Sequence, residues 1–205
     1  MIKTMFWCVN PQEDFFEGGT LNVSGSDAIK PKIRALTTFG KENKIKVINV
    51  VSWNKEKEKW FSDTPDFVKT FPKHCIENTK GTNIIPEALP DNDYFVIKND
   101  APYIVFPEIH KHRNIIIFKN GINLIEGNKF ADSVLNNLGT TIMERPKYFV
   151  YGVGAILVAK DLAKRGYEVK IITDASVDFP GFEVNLEENN ILTTTTEDLF
   201  ASEIE

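Results

Sequence analysis

Cysteine is scarce in this sequence. Cys8 and Cys75 are the only two among 205 residues, too few for the disulfide framework that holds small secreted domains together, and both are expected to be reduced thiols. Blocks of Lys or Arg are missing too, and the net charge is a mild −5, which argues against a nucleic-acid groove or an anionic membrane surface as the partner. No apolar run approaches the length of about 20 residues that a membrane span needs. The stretch Met1 to Asn10 lacks the apolar segment and small-residue cleavage site of a signal peptide. The cytoplasm is therefore the expected location, and a small molecule or another protein the expected partner.

What the chain does contain is ordinary globular material, 42% hydrophobic and 26% charged, in a length suited to one domain over residues 1–205. Short apolar runs rich in β-branched and aromatic residues recur at Met5 to Val9, Ile45 to Val51, Ile115 to Phe118, Tyr148 to Val153 and Val169 to Ile172. They are nearly continuous rather than alternating, which marks strands buried on both faces. Helical patterns separate them. Ile29, Ile33 and Leu36 form one stripe, with Pro31 expected in the first turn. Phe130, Val134, Leu135 and Leu138 form a second stripe that stops at Gly139. A third helix is expected from Ala155 to Arg165, ending at Gly166. The pattern predicts an α/β fold: a single doubly wound, mostly parallel sheet with helices on both faces. The proline-rich stretch from Trp53 to Pro107 reads as a long irregular excursion, and long loops inside compact domains are usually functional. After Ile191 an edge strand and a short helix are expected.

Ligands of open parallel sheets bind beyond the carboxyl ends of the strands. Those ends are Asn10, then Ser52, Trp53 and Asn54, then Lys119, then the turn Gly152-Val153-Gly154, then Asp174. One ammonium, one carboxylate, two amides and a helix N-terminus are thus expected around one cleft.

Several segments resemble the nicotinamidase and isochorismatase-like cysteine hydrolases. Val9-Asn10-Pro11-Gln12-Glu13-Asp14-Phe15, followed by Gly18-Gly19 and Leu21, is similar to that family's opening motif, with Asn10 standing where the family has its catalytic aspartate. Val51-Ser52-Trp53-Asn54 resembles its Asp-Trp-His metal motif, and Phe71 to Gly81, containing His74-Cys75, resembles its Pro-x-His-Cys segment. Lys119 matches the catalytic lysine. Tyr151-Gly152-Val153-Gly154-Ala155-Ile156-Leu157-Val158 is similar to the turn that carries the nucleophilic cysteine, which falls on Val158.

The resemblance implies the fold and argues against the reaction. A helix-activated thiolate, an aspartate base and a lysine work together in that family, and Asn10, Lys119 and Val158 replace them here. The implied metal ligands are reduced to His74, with Ser52 and Asn54 at the other two positions, so no metal or other cofactor is expected. Three readings follow, a purely structural subunit being the third. One is a noncatalytic member that binds a small molecule such as a carboxylate in a pocket of Asn10, Trp53, Lys119, Gly154 and Ala155, or that forms an oligomer with itself or with an active paralogue. The alternative is a hydrolase of a small amide with an altered site. Cys75 as a relocated nucleophile is the weaker option, because adjacent residues on extended chain point apart. Glu77, Asp91 and Asp93 are candidates to fold over and neutralise Lys119. Trp7, Trp53 and Trp60 are expected in the core or the pocket wall.

Overall fold

A computed structural model describes residues 4–103, 106–138, 146–182 and 184–203. Seven strands form one sheet: β1 (Thr4–Val9), β2 (Lys46–Ser52), β3 (Tyr94–Ile97), β4 (Asn114–Lys119), β5 (Lys147–Val153), β6 (Glu168–Val177) and β7 (Ile191–Thr194). Their order is β3-β4-β2-β1-β5-β6-β7, and every neighbouring pair is parallel. The central strands carry apolar side chains on both faces because helices cover both, as a parallel sheet with crossover helices requires. On one face α4 (Ala131–Leu138) and α5 (Ala155–Ala163) bury Val134, Leu135, Val158 and Leu162 against Trp7, Ile48, Ile117 and Tyr148. On the other, α1 (Ser26–Glu42) sets its Ile29, Ile33 and Leu36 stripe against Phe6, Val47 and Phe149. Two further short helices, α2 (Phe106–Lys111) and α3 (Leu124–Gly127), flank β4, and α6 (Thr196–Glu203) closes the chain.

Four details differ from the sequence expectation. The first helix begins at Ser26, which places Pro31 in its second turn rather than its first. Strand β3 and helix α2 interrupt the excursion read as irregular. Strand β6 continues to Val177, with a register shift against β5 between Val150 and Gly152. Asp174 therefore lies within β6 rather than at its end, where its carboxylate accepts from Thr196 N–H at 2.9 Å and Thr196 Oγ1 at 2.6 Å and faces Lys32 Nζ at 2.9 Å. It starts α6 and does not reach the cleft. The expected helix stop at Gly139 lies outside the described residues.

The order reverses at β1, with β2, β4 and β3 on one side and β5, β6 and β7 on the other. Crevices form at such switch points. The carboxyl ends of β1, β2, β4 and β5 converge there.

Candidate functional site

Asn10 follows β1 in the left-handed region, φ 47°, a conformation that asparagine tolerates better than most residues. Its backbone N–H donates to Val50 O at 2.8 Å, and its side chain turns into the crevice. There Nδ2 donates to Val153 O at 2.9 Å, which leaves Oδ1 to accept from Ser52 Oγ at 3.1 Å. Ser52 ends β2 directly beside Lys119, the end of β4. Since the serine proton is committed to Asn10, its oxygen must accept from Lys119 Nζ, 3.0 Å away. Lys119 Nζ also donates to Gly121 O at 2.7 Å. The resulting wire is directional: lysine to serine to asparagine to the β5 carbonyl.

Lys119 is only 3% exposed, and among the described residues no carboxylate lies within ion-pair distance of it. Burial pushes its pKa down to about 8, opposed by the field of Asp161. The expected neutralising acids are engaged elsewhere. Asp91 pairs with Arg113 and Lys41, Asp93 with His112, and Glu77 is exposed. The acid near the crevice is instead Asp178, whose Oδ1 accepts from Ile156 N–H at 3.2 Å and so occupies the N-terminus of α5.

His74 contributes a neutral imidazole. Its Nδ1 sits 2.8 Å from Pro72 O, a pure acceptor, so that nitrogen carries the proton. Edge contacts with Phe15, Phe61 and Phe71 surround the ring, and burial lowers its pKa to about 4.

Asn10, Ser52, His74 and Lys119 line one cavity, walled otherwise by Phe15, Leu21, Trp60, Phe71, Gly121, Ile122, Leu157, Phe179 and Phe182. This partly open cavity offers about 30 Å³, room for roughly two water molecules. Three expected lining residues, and Val158 at the position matched to the nucleophile, do not join it. Trp53 stacks on Phe118 at 4.4 Å on the outer side, because it follows inward-facing Ser52 on extended chain and alternation sends it away. Ala155 and Val158 pack into the core between α5 and the sheet. Gly154 stands behind the wall, where an added Cβ would lie 2.8 Å from Phe179. The α5 side chain that reaches the cavity is Leu157, one position before the one matched by spacing. Ala155, Val158, Ala159 and Leu162 form the core-facing stripe and leave Leu157 on the crevice side.

The remaining residues of the motifs fasten the loops that close the cavity. Gln12 is fully buried and clamps Ser52 from both sides, accepting from its N–H at 2.6 Å and donating to its carbonyl at 2.8 Å. Asp14 accepts from Cys75 N–H at 2.5 Å and Thr20 N–H at 3.2 Å. Gly81 lies so close that a Cβ there would collide with the Asp14 carboxylate. Cys75 is itself enclosed, its Sγ 3.7 Å from Gly81 O, and burial raises its pKa well above the usual thiol value. Cys8 is likewise a buried thiol raised by desolvation, beside Tyr151. Neither thiol lines the cavity. Asn54, at the third implied ligand position, spends its amide on His74 O at 3.0 Å and on Gly121 N–H at 3.4 Å.

No family model matches the chain. Among curated proteins it is 32% identical to the nicotinamidase/pyrazinamidase of Mycobacterium tuberculosis over 80 residues, 38% of this chain and 41% of that relative's length. The pyrazinamidase of Pyrococcus horikoshii, solved in complex with zinc, matches 94% of this chain and 99% of its own with a TM-score of 0.70 at 22% identity. An isochorismatase family protein from Desulfovibrio vulgaris matches over the full length of both chains, also with a TM-score of 0.70, at 17% identity. The chain has the isochorismatase-like α/β fold of these structures, one all-parallel seven-stranded sheet with helices on both faces.

Proposed function

We propose that this chain is a noncatalytic member of the nicotinamidase and isochorismatase superfamily, which keeps the cleft as a binding site for a small carboxylate. The observation that carries this reading is Lys119: a buried ammonium whose hydrogen-bond partners, Ser52 Oγ and Gly121 O, are both neutral. A buried charge without a counter-charge costs several kcal/mol, and a bound anion would offset that. The aromatic walls suit the apolar body of such a ligand. The narrow cavity favours the smallest carboxylates, with larger ones entering only if Phe179 or Phe182 swings aside.

Amide hydrolysis by the cysteine route lacks its parts. Position 10 is an amide without useful basicity, the α5 side chain facing the cavity is leucine, and both thiols are buried and held protonated. Zinc, present in the Pyrococcus relative, does not fit the positions matched here. Asn54 is bonded through both ends of its amide, Ser52 Oγ is bonded to a cation, and His74 is a single imidazole; no group of three His, Cys, Asp or Glu able to hold a metal exists among the described residues. We place the protein in the cytoplasm, acting as a homo-oligomer or beside an active paralogue; among the described residues, no helix is long and apolar enough to cross a membrane. A thermal-shift screen of small carboxylates tests the binding role. Stabilisation by acetate or a similar anion, lost in Lys119→Met, is expected; a screen with no Lys119-dependent response overturns it.

A further inference from the structure

The wiring around Lys119 has a consequence that does not depend on a bound carboxylate. A neutral amine has two N–H bonds and one lone pair. Both N–H directions are committed, one to Gly121 O and one to a serine oxygen whose own proton is already given to Asn10. Both donors are thereby used, and Lys119 lines the cavity together with its two acceptor residues, so a small ligand entering there meets the remaining lone pair. Such an amine is a nucleophile held in one orientation.

The cavity selects what it can meet. The cavity is narrow, about 30 Å³, and walls such as Phe15, Leu157 and Phe179 suit the apolar surface of a compact, uncharged electrophile. We propose that Lys119 Nζ is a carbon dioxide capture site, at which the amine adds reversibly to CO2 to form a lysine carbamate. The nitrogen lone pair forms an N–C bond, one C=O π bond breaks onto oxygen, and the proton lost from nitrogen leaves to solvent; no electrons are exchanged. The product is an anion, and a wall residue of the cavity has an unused donor: Trp60 Nε1 is buried and has no hydrogen-bond partner in the structure. The Trp60 ring lies against Gly121, whose carbonyl holds the lysine; a Cβ at Gly121 would be 3.7 Å from it.

The charge environment is compatible with this step. His74 is neutral, Asp14 is engaged by backbone N–H groups, Asp161 acts on Lys119 only through its field, and Cys75 stays protonated. With burial holding Lys119 at about 8, the neutral amine at pH 7.5 is roughly a few hundredfold more populated than for a lysine at its usual value.

The test uses the intact protein in 13C-labelled bicarbonate at pH 7.5–8.5, followed by alkylation with triethyloxonium to fix any carbamate and peptide mass spectrometry to locate it. A labelled carboxyethyl group on the Lys119 peptide, exceeding that on surface lysines by tenfold or more, is the expected result. A folded protein with no label at Lys119 overturns the proposal. Trp60→Phe keeps the ring and removes the N–H, so it should lower occupancy several-fold; unchanged occupancy overturns the role given to Trp60. Excess acetate should suppress labelling if the anion site and the capture site coincide. Loss of carboxylate binding with labelling retained would discard the proposed binding function while leaving carbon dioxide capture standing.

Discussion

Lys119→Met removes the buried charge while nearly preserving side-chain length, and its effect on stability should depend on pH in a way that identifies the charge. In the folded protein Lys119 holds its proton with a pKa near 8, against an ordinary 10.5. At about 1.4 kcal/mol per tenfold change in proton affinity, the charged lysine costs the fold about 3 kcal/mol below pH 8. A depressed pKa means that between pH 8 and 10.5 the unfolded chain holds more protons than the folded one, so this group's contribution to stability rises with pH across that window. The methionine variant has no such term. It does lose the donors to Gly121 O and Ser52 Oγ, at about 1–3 kcal/mol, but that loss is constant once pH is varied. Thiols and phenols raised by burial, Cys8, Cys75, Tyr148 and Tyr151, weaken both proteins alike as pH climbs and cancel in the difference. Denaturant unfolding of both proteins at pH 7.5 and 9.5 should therefore show the wild type gaining roughly 2 kcal/mol on the variant. Parallel pH profiles would refute the claim that Lys119 carries an uncompensated buried charge.

Nicotinamide incubated with the purified protein should show no hydrolysis above background, and Cys75→Ala should change nothing; turnover lost in that variant would restore the relocated nucleophile. Elemental analysis should find well under one zinc per chain, and stoichiometric metal would contradict the bonding described for Ser52 and Asn54. Gly81→Ala should destabilise by about 1–3 kcal/mol or more, the range for overpacking, since its Cβ collides with the Asp14 carboxylate; a midpoint unchanged in denaturant would show that the loop adjusts freely.

The strands legible in the sequence were those whose apolar runs are continuous because both faces are covered. Strand β3 escaped notice because its four residues, Tyr94 to Ile97, lie on an edge between Asp91-Asn92-Asp93 and Lys98-Asn99-Asp100, the polar flanks of a turn. Asn10, Ser52, His74 and Lys119 could be brought together from strand ends and motif spacing alone. Leu157 could not, since the phase of α5 is set by the turn before it, where Gly152 and Gly154 both take positive φ, 105° and 73°. Spacing matched Val158 to the nucleophile, whereas the helix stripe turns that side chain into the core. Phe179 and Phe182 lie in an irregular segment after β6, where no periodicity marks which side chains face inward. Alternation along the chain was the available signal for Trp53: once Ser52 points into the crevice, its neighbour points out.

Lys119 itself can be titrated by NMR through its 13C-labelled ε-carbon, with Lys119→Met providing the assignment. A midpoint near 8 in the free protein, moving upward when acetate binds and stabilises the ammonium, is the predicted result. A midpoint near 10.5 that does not respond to carboxylates would contradict both the buried, uncompensated charge and the anion site built on it.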